Sequence, residues 1–316
     1  MTMVRRTLVP LTAAVVVGSS FVALPARGQA IATSPANRIL VVTTNVQEAW
    51  GTADMRSQSE LNRYVDRLVD QVPFVPDVVM LQEVRRKSAA YIRDRLTRAT
   101  GHKFGWGVRP PRRPWTQNPR KRTETDSAIL IDTDAVEKVD DGGFISLTYE
   151  RKHATDNIER VEITRHARVS VRELDGDLTL AAASVHMQYG HLKERHVDRY
   201  QVTWTDKLAR VMANRYPNAA RTIGGDFNQD RCAERSGART CRKSLFWRNL
   251  TDAPWNYKDV LFEVFLSGKN GVGLGGVDFI FTTGDPTNAG SDTSYDKSDA
   301  AEFYSDHRFF WGVVGP

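Results

Sequence analysis

Eight short apolar runs, most of them stopping at a polar residue, constrain this chain more than anything else in it. They are "RILVVTTNV", "DVVMLQEV", "SAILIDT", "HARVSVREL", "LTLAAASVHM", "RTIGGDF", "VDFIFTT" and "RFFWGVV". Together they are rich in Val, Ile and Phe, and they either alternate or are largely apolar, as strands of a covered sheet are. Between some of them lie stretches with helical spacing. "SELNRYVDRLVDQV" sets Leu61, Tyr64, Val65 and Leu68 on one face, and "ERHVDRYQVTWTDKLARVMANR" continues apolar positions to Leu208 and Met212. The mixture predicts an α/β chain whose sheets are covered by helices. With 41% hydrophobic and 26% charged residues over 316 positions, the chain can bury a sizeable core, and disorder is not its default state.

The amino terminus is set apart. Residues 1–30 carry Arg5 and Arg6, an apolar run broken by Pro10, Gly18 and Ser19, and a closing G-Q-A step, which together predict a secretory signal peptide and an extracellular destination. The run is short and interrupted for a spanning helix, so a membrane anchor is the lesser alternative. Removing residues 1–30 takes away three arginines and no acid, and the formal charge falls from +6 to +3. Mild basicity fits a polyanionic substrate without demanding one. Residues 31–37, "IATSPAN", read as a linker, and 38–316 as one domain without repeats or low-complexity stretches, expected to be monomeric. Cys232 and Cys241, with eight residues of polar, Arg-rich sequence between them, are expected to be bridged in an oxidising compartment. Two free thiols are the alternative; a zinc site would need further ligands, and none is suitably spaced.

Polar residues gather where the apolar runs stop: Asn45, Glu83, His186, Asp226 with Asn228, Asp278, and Asp306 with His307. Each has a local explanation when taken alone, as a turn residue, a helix-terminal charge, a satisfied buried imidazole or an N-cap. Strand ends in α/β proteins share a crevice, however, so residues far apart in sequence can converge there. Taken together, these types suit metal-assisted phosphodiester cleavage. The oxygens of Glu83, Asp306 and the Asn45 amide are hard donors for Mg²⁺ or Mn²⁺, with Ca²⁺ as a third candidate, and an imidazole can act as acid or base near neutrality.

The ordered motifs "TTNVQ", "LQEVR", "SVHM", "GGDFN", "VDFIF" and "SDHRFF" resemble those of the endonuclease/exonuclease/phosphatase superfamily, which includes pancreatic-type deoxyribonucleases, abasic-site endonucleases, sphingomyelinases and inositol polyphosphate phosphatases. The resemblance spans residues 38–316. It implies a deoxyribonuclease-I-like α/β fold, a four-layer sandwich of two mixed β-sheets flanked by helices. It also implies that Glu83 is the principal metal ligand with Asn45 and Asp306 beside it, and that Asp226 and Asn228 orient the attacking water and a phosphate oxygen. By the same resemblance His307 polarises the water and is oriented by Asp278, while His186 contacts a phosphate oxygen or assists the leaving group. Either Asp226 or His307 takes the proton. Pancreatic-type deoxyribonucleases also carry a cysteine soon after G-D-F-N and a similar Q-E-V-R run, which would set Arg85 near the substrate backbone.

The segment "PRRPWTQNPRKR" and its flanks place Arg109, Arg112, Arg113, Arg120, Lys121 and Arg122 around Trp115. Such a loop can track phosphates while the indole stacks on a base, or it can be a solvated basic loop. "GVGLGG" at 271–276 matches a dinucleotide-binding pattern but leads into a strand and not a helix, so no dinucleotide cofactor is expected. Three readings follow: a secreted metal-dependent nuclease acting on nucleic acid, a sphingomyelinase-like or other lipid phosphodiesterase acting on phospholipid, and an inactive polyanion-binding scaffold. For the second, "SLFWRNLTDAPWNY" is the candidate apolar contact with a membrane. The intact acidic and imidazole positions argue against the third.

Overall fold

The computed structural model describes residues 32–46, 58–111, 126–152, 158–187, 194–229, 244–266, 277–292 and 307–316. In chain order the strands are β1 (Ile39–Asn45), β2 (Val78–Val84), β3 (Phe104–Val108), β4 (Asp126–Asp132), β5 (Val136–Lys138), β6 (Gly143–Lys152), β7 (Ile158–Glu173), β8 (Thr179–His186), β9 (Ala220–Asp226), β10 (Lys258–Asp259), β11 (Asp278–Thr282), β12 (Asp285–Ser291) and β13 (Phe310–Gly315). The α-helices are α1 (Gln58–Gln71), α2 (Arg86–Thr100), α3 (Glu194–Arg215) and α4 (Leu245–Thr251). One sheet runs β12-β13-β1-β2-β4-β3. The other runs β10-β11-β9-β8-β7-β5, with β6 also paired to β7. Both are mixed, because β1 with β2 and β8 with β9 are parallel while the other pairs are antiparallel.

Alternation along each strand builds the layers. Ile39, Val41, Val78, Met80, Ile129 and Ile131 point from the first sheet toward the second, where they meet Val169, Val171, Leu180, Ala182 and Ile280. Their neighbours Leu40, Val42, Val79, Leu81 and Leu130 point the other way, onto Leu61, Tyr64, Val65 and Leu68 of α1 and Ile92 and Leu96 of α2. The second sheet turns Ala181, Ala183, Val185, Ile223 and Phe281 outward onto Trp204, Leu208 and Met212 of α3 and Phe246 and Trp247 of α4. Helix, sheet, sheet, helix: this is the expected four-layer sandwich. Each fully buried Val, Leu, Ile or Phe contributes about 1.5–3 kcal/mol, whereas an exposed ion pair contributes about 1 kcal/mol or less. The layering therefore follows the apolar pattern and not the surface charge.

All eight expected strands and both expected helices are present. α2 escapes the sequence reading because its stripe is narrow, Ala89, Ile92 and Leu96 among many charges; it stops at Gly101, whose φ of 78° lets its N–H reach Thr97 O at 3.0 Å. β3, "FGWGV", is diluted by glycine, and β12, "DPTNAGS", reads as a turn. Both are outer strands of the first sheet, and both are bulged, between Trp106 and Val108 and between Pro286 and Asn288. The segment "SLFWRNLTDAPWNY" is not an apolar surface. Phe246, Trp247, Leu250 and Tyr257 are buried under the second sheet, and Leu245 is the exposed apolar side chain of α4. No described helix is long and apolar enough to cross a membrane.

Residues 32–37 lie against the domain. Val75 donates its N–H to Ala32 O at 3.0 Å, and Asp77 Oδ2 accepts both Ser34 Oγ and Leu40 N at 2.6 Å. Burial raises the Asp77 carboxyl from an ordinary 3.8 to about 7, although those two hydrogen bonds lower it. Between about pH 4 and 7 the folded chain thus holds a proton at Asp77 that the unfolded chain has lost, so this group makes stability fall as pH rises. Asp77→Asn removes that dependence. In urea titrations across pH 4–7 the wild type should lose stability relative to the variant, by an amount on the order of 4 kcal/mol when fully developed.

Candidate active site

Topology brings the polar strand ends to one edge of the sandwich. β1 and β2 run parallel and finish together, with Asn45 in register with Gln82; β8 and β9 do the same, with His186 in register with Asp226. β11 runs antiparallel to β9, so its first residue, Asp278, pairs with Asp226. β13 runs antiparallel to β1, which delivers His307, just ahead of it, to the same edge.

Backbone irregularities aim the side chains. The β2–β4 ladder breaks between Leu81 and Val84, and Glu83 takes a φ of 48°, a conformation rare outside glycine. Such strain persists where surrounding structure enforces it, and it clusters at functional positions. Gly225, before Asp226, has a φ of 150°, and a Cβ there would sit 1.8 Å from Val185 O; a side chain is excluded. Asn228 takes a φ of 51°, and its N–H donates to Asp226 Oδ1 at 2.7 Å, a local turn that fixes the aspartate. Its Nδ2 donates to Met187 O at 2.5 Å. Below this turn Phe227 packs among Phe246, Phe279 and Phe281, with ring centroids 5.2–5.7 Å away, and so locks the ends of β9 and β11 to α4.

The side chains then form one connected set. Asn45 Nδ2 donates to Glu83 Oε1 and to Asp226 Oδ2, each at 3.0 Å. His186 Nε2 lies 3.1 Å from Glu83 Oε1 and 3.7 Å from Asp226 Oδ2. With carboxylates on both sides, that nitrogen is assigned the proton. His307 Nδ1 meets Asp278 Oδ2 at 2.7 Å, leaving Nε2 toward Asp226 Oδ2 at 3.7 Å. Seven predicted residues, Asn45, Glu83, His186, Asp226, Asn228, Asp278 and His307, are thus brought together. Arg85 sits at the start of α2, two residues beyond Glu83, and is half-buried. Asp306, Arg112, Arg113, Trp115, Cys232, Cys241 and the "GVGLGG" loop lie outside the described residues.

Neighbouring carboxylates end with different affinities for a proton. Burial raises Glu83, but the hydrogen bond and charge of His186, the Asn45 amide and the His307 charge outweigh it and bring the group down to about 2. Asp226 goes the other way: burial and the Asp278 charge push it up to about 6, against the pull of His186 and His307. His186 is raised, because Glu83 and Asp226 overcome the desolvation that lowers it. A residue that sequence reasoning passed over stands behind it. His166 on β7 is fully buried, its Nδ1 accepts the backbone N–H of His186 at 3.3 Å, and burial, followed by the His186 charge, lowers it to about 3. In sequence it was only the first letter of a strand.

The set fits a divalent cation. Glu83 Oε1 is engaged by Asn45 and His186, but Oε2 is buried without a hydrogen-bond partner among the described residues, a costly state unless something positive meets it. Carboxylate oxygens of Glu83 and Asp226 lie within 4.8 Å of one another, while His186 Nε2, which carries a proton, serves there as a hydrogen-bond donor and not as a ligand. Carboxylate oxygens dominate the donors, which favours Mg²⁺ or Mn²⁺ over softer ions.

No family model and no curated protein matches this sequence. Solved structures do match the fold. The endonuclease/exonuclease/phosphatase from Bacteroides vulgatus aligns with a TM-score of 0.58 at 14% identity, covering 88% of this chain and 98% of the other. The human Nocturnin catalytic domain with bound sulfate aligns at 0.58 and 15%, covering 89% and 94%. TDP2 of D. rerio, complexed with a single-strand DNA product, aligns at 0.52 and 14%, covering 88% and 99%. The chain thus has the endonuclease/exonuclease/phosphatase fold, the deoxyribonuclease-I-like sandwich.

The Glu83–His186 contact can be checked without substrate. Glu83→Gln keeps the shape and removes the charge, so the His186 imidazole should titrate at lower pH than in the wild type when followed by NMR. An unchanged midpoint would mean that Asp226 alone holds it up.

Proposed function

We propose that the protein is an exported, divalent-metal-dependent phosphodiesterase that cuts nucleic acid within the strand. The observation that carries this reading is the convergence of Asn45, Glu83, His186, Asp226, Asn228, Asp278 and His307 around Glu83 Oε2, which has no hydrogen-bond partner among the described residues. Glu83, with Asn45 and Asp306 at its side, would hold the cation. A bound Mg²⁺ or Mn²⁺ would neutralise phosphate charge and polarise the scissile P–O bond.

The chain's own groups divide the remaining work. Asp278 fixes the His307 ring through Nδ1, so that Nε2 and Asp226 face the same place, where a water would attack in line. Asp226, raised to about 6, is basic enough to accept the water's proton near neutrality, with His307 Nε2 sharing that task. The bond from the water oxygen to phosphorus forms as the bond to the leaving oxygen breaks. His186, which carries a proton at Nε2, supplies it to that oxygen or donates to a non-bridging one. The Asn228 turn orients Asp226 throughout.

Nucleic acid is favoured as substrate by the basic residues Arg85, Arg112 and Arg113 with Trp115, and by the likeness to a fold neighbour that holds a single-strand DNA product. The lipid reading has lost its candidate membrane contact to the core beneath α4. Residues 1–30 support export, and export supports a Cys232–Cys241 bridge.

Residues 31–316 incubated with Mg²⁺ or Mn²⁺ should cleave plasmid DNA or RNA but not sphingomyelin, and chelation should stop the reaction. His307→Ala should lower kcat by about 10²–10⁴-fold with an unchanged circular dichroism spectrum. Turnover of sphingomyelin without nucleic-acid cleavage overturns the reading. Replacing Arg112, Arg113, Arg120, Lys121 and Arg122 with Ser should flatten the salt dependence of DNA binding, by about 0.9 in the log–log slope for each phosphate that the protein no longer neutralises. Hydrolysis of a small chromogenic phosphodiester should be unaffected.

A further inference from the structure

The space between the two sheets is lined by apolar side chains such as Val41, Met80, Ile129, Ala182 and Ile280. Directly beneath the active site the lining changes. Thr43, Gln82 and Ser184 are all fully buried there, and Gln82 is hydrogen-bonded to the other two. Gln82 Nε2 donates to Ser184 Oγ at 2.8 Å and to Thr43 Oγ1 at 3.1 Å, with Met80 O at 3.2 Å. Ser184 Oγ in turn donates to Leu81 O at 2.9 Å. Two of these bonds cross from one sheet to the other.

Sequence position gives the bridge its significance. Gln82 immediately precedes Glu83, Thr43 lies two residues before Asn45, and Ser184 lies two before His186. Gly224, in register with Ser184, lies two before Asp226, and a Cβ there would come 2.4 Å from Met80 Cε and 3.3 Å from Thr43 Cβ. Each strand that ends in a site residue is therefore tied, or brought into close contact across the sheets, one or two residues earlier. Apolar side chains would fill this layer without the cost of desolvating an amide and two hydroxyls. A satisfied polar bridge, however, admits one relative placement of the sheets, whereas an apolar interface tolerates sliding.

We infer that Gln82, bridging Thr43 and Ser184, is a positioning residue that sets the separation between the Asn45–Glu83 side and the His186–Asp226 side of the site. The inference rests on the metal-dependent reading above. Gln82 acts through its neighbours and touches no reacting atom, so its loss should spare the fold and degrade the geometry.

The test compares the wild type with Gln82→Met, Ser184→Ala and the double variant, each as residues 31–316. Three quantities are read: the melting temperature, Mn²⁺ affinity by calorimetry, and kcat and KM on a small chromogenic phosphodiester. Gln82→Met should melt within a few degrees of the wild type yet lose about 10- to 100-fold in Mn²⁺ affinity or kcat, with KM little changed. Ser184→Ala should lose in the same direction, and the double variant should be no worse than the worse single one, because both cut the same bridge. Should Gln82→Met fail to fold, Ser184→Ala decides. Wild-type affinity and turnover in the folded variants overturn the inference alone. A wild type that neither binds Mn²⁺ nor hydrolyses the diester overturns the metal-dependent reading, and this inference with it.

Discussion

Three carboxylates, Glu83, Asp226 and Asp278, stand together at the buried edge of a sandwich, and their mutual repulsion is the constraint that the rest of the site answers. In a medium less polar than water such charges cannot all remain without compensation. Two imidazoles and one amide supply it unevenly. Glu83 receives His186 and Asn45 directly and is held ionised, while Asp226 has Asp278 as a like-charged neighbour and keeps its proton to a higher pH. Two acids a few ångströms apart thus have opposite tendencies, one to stay ionised and one to take up a proton.

This arrangement needs both sheets. Asn45 and Glu83 come from one, His186, Asp226 and Asp278 from the other, and neither sheet alone carries an acid together with all its compensating partners. The strain at Glu83 and the tight turn after Gly225 are tolerable because the layers around them are closely filled on both faces. Phe227 and its ring neighbours hold one side of that filling, and α2, beginning at the residue after Arg85, holds the other.

The sequence carried the layers and the ligand types but not the links between them. Strands covered on both faces announce themselves as runs of Val, Ile and Phe, which is why β1, β2, β8 and β11 were legible. β12, at a sheet edge, needs little apolar content, and "DPTNAGS" carries no strand pattern to read. Asn45, Glu83, His186 and His307 were legible because polar groups stop apolar runs abruptly. His166 and Gln82 were not, since each is a polar residue inside a strand whose partner lies on another strand, and nothing local distinguishes it from a solvent-facing position. α2 was hidden for a similar reason: Ala89, Ile92 and Leu96 make too thin a stripe to stand out against their charged neighbours.

The outer strands have a consequence of their own. A sheet's last strand offers unpaired N–H and C=O groups to any passing chain, and regular edges invite addition. Here β12 is broken by a bulge at Pro286 and β3 by one at Val108; in the second sheet β10 spans two residues, β5 three, and β6 is bulged after Leu147. β6, the longest of these at ten residues, is divided by its bulge into two shorter runs, so a second chain pairing along it would have to change register midway.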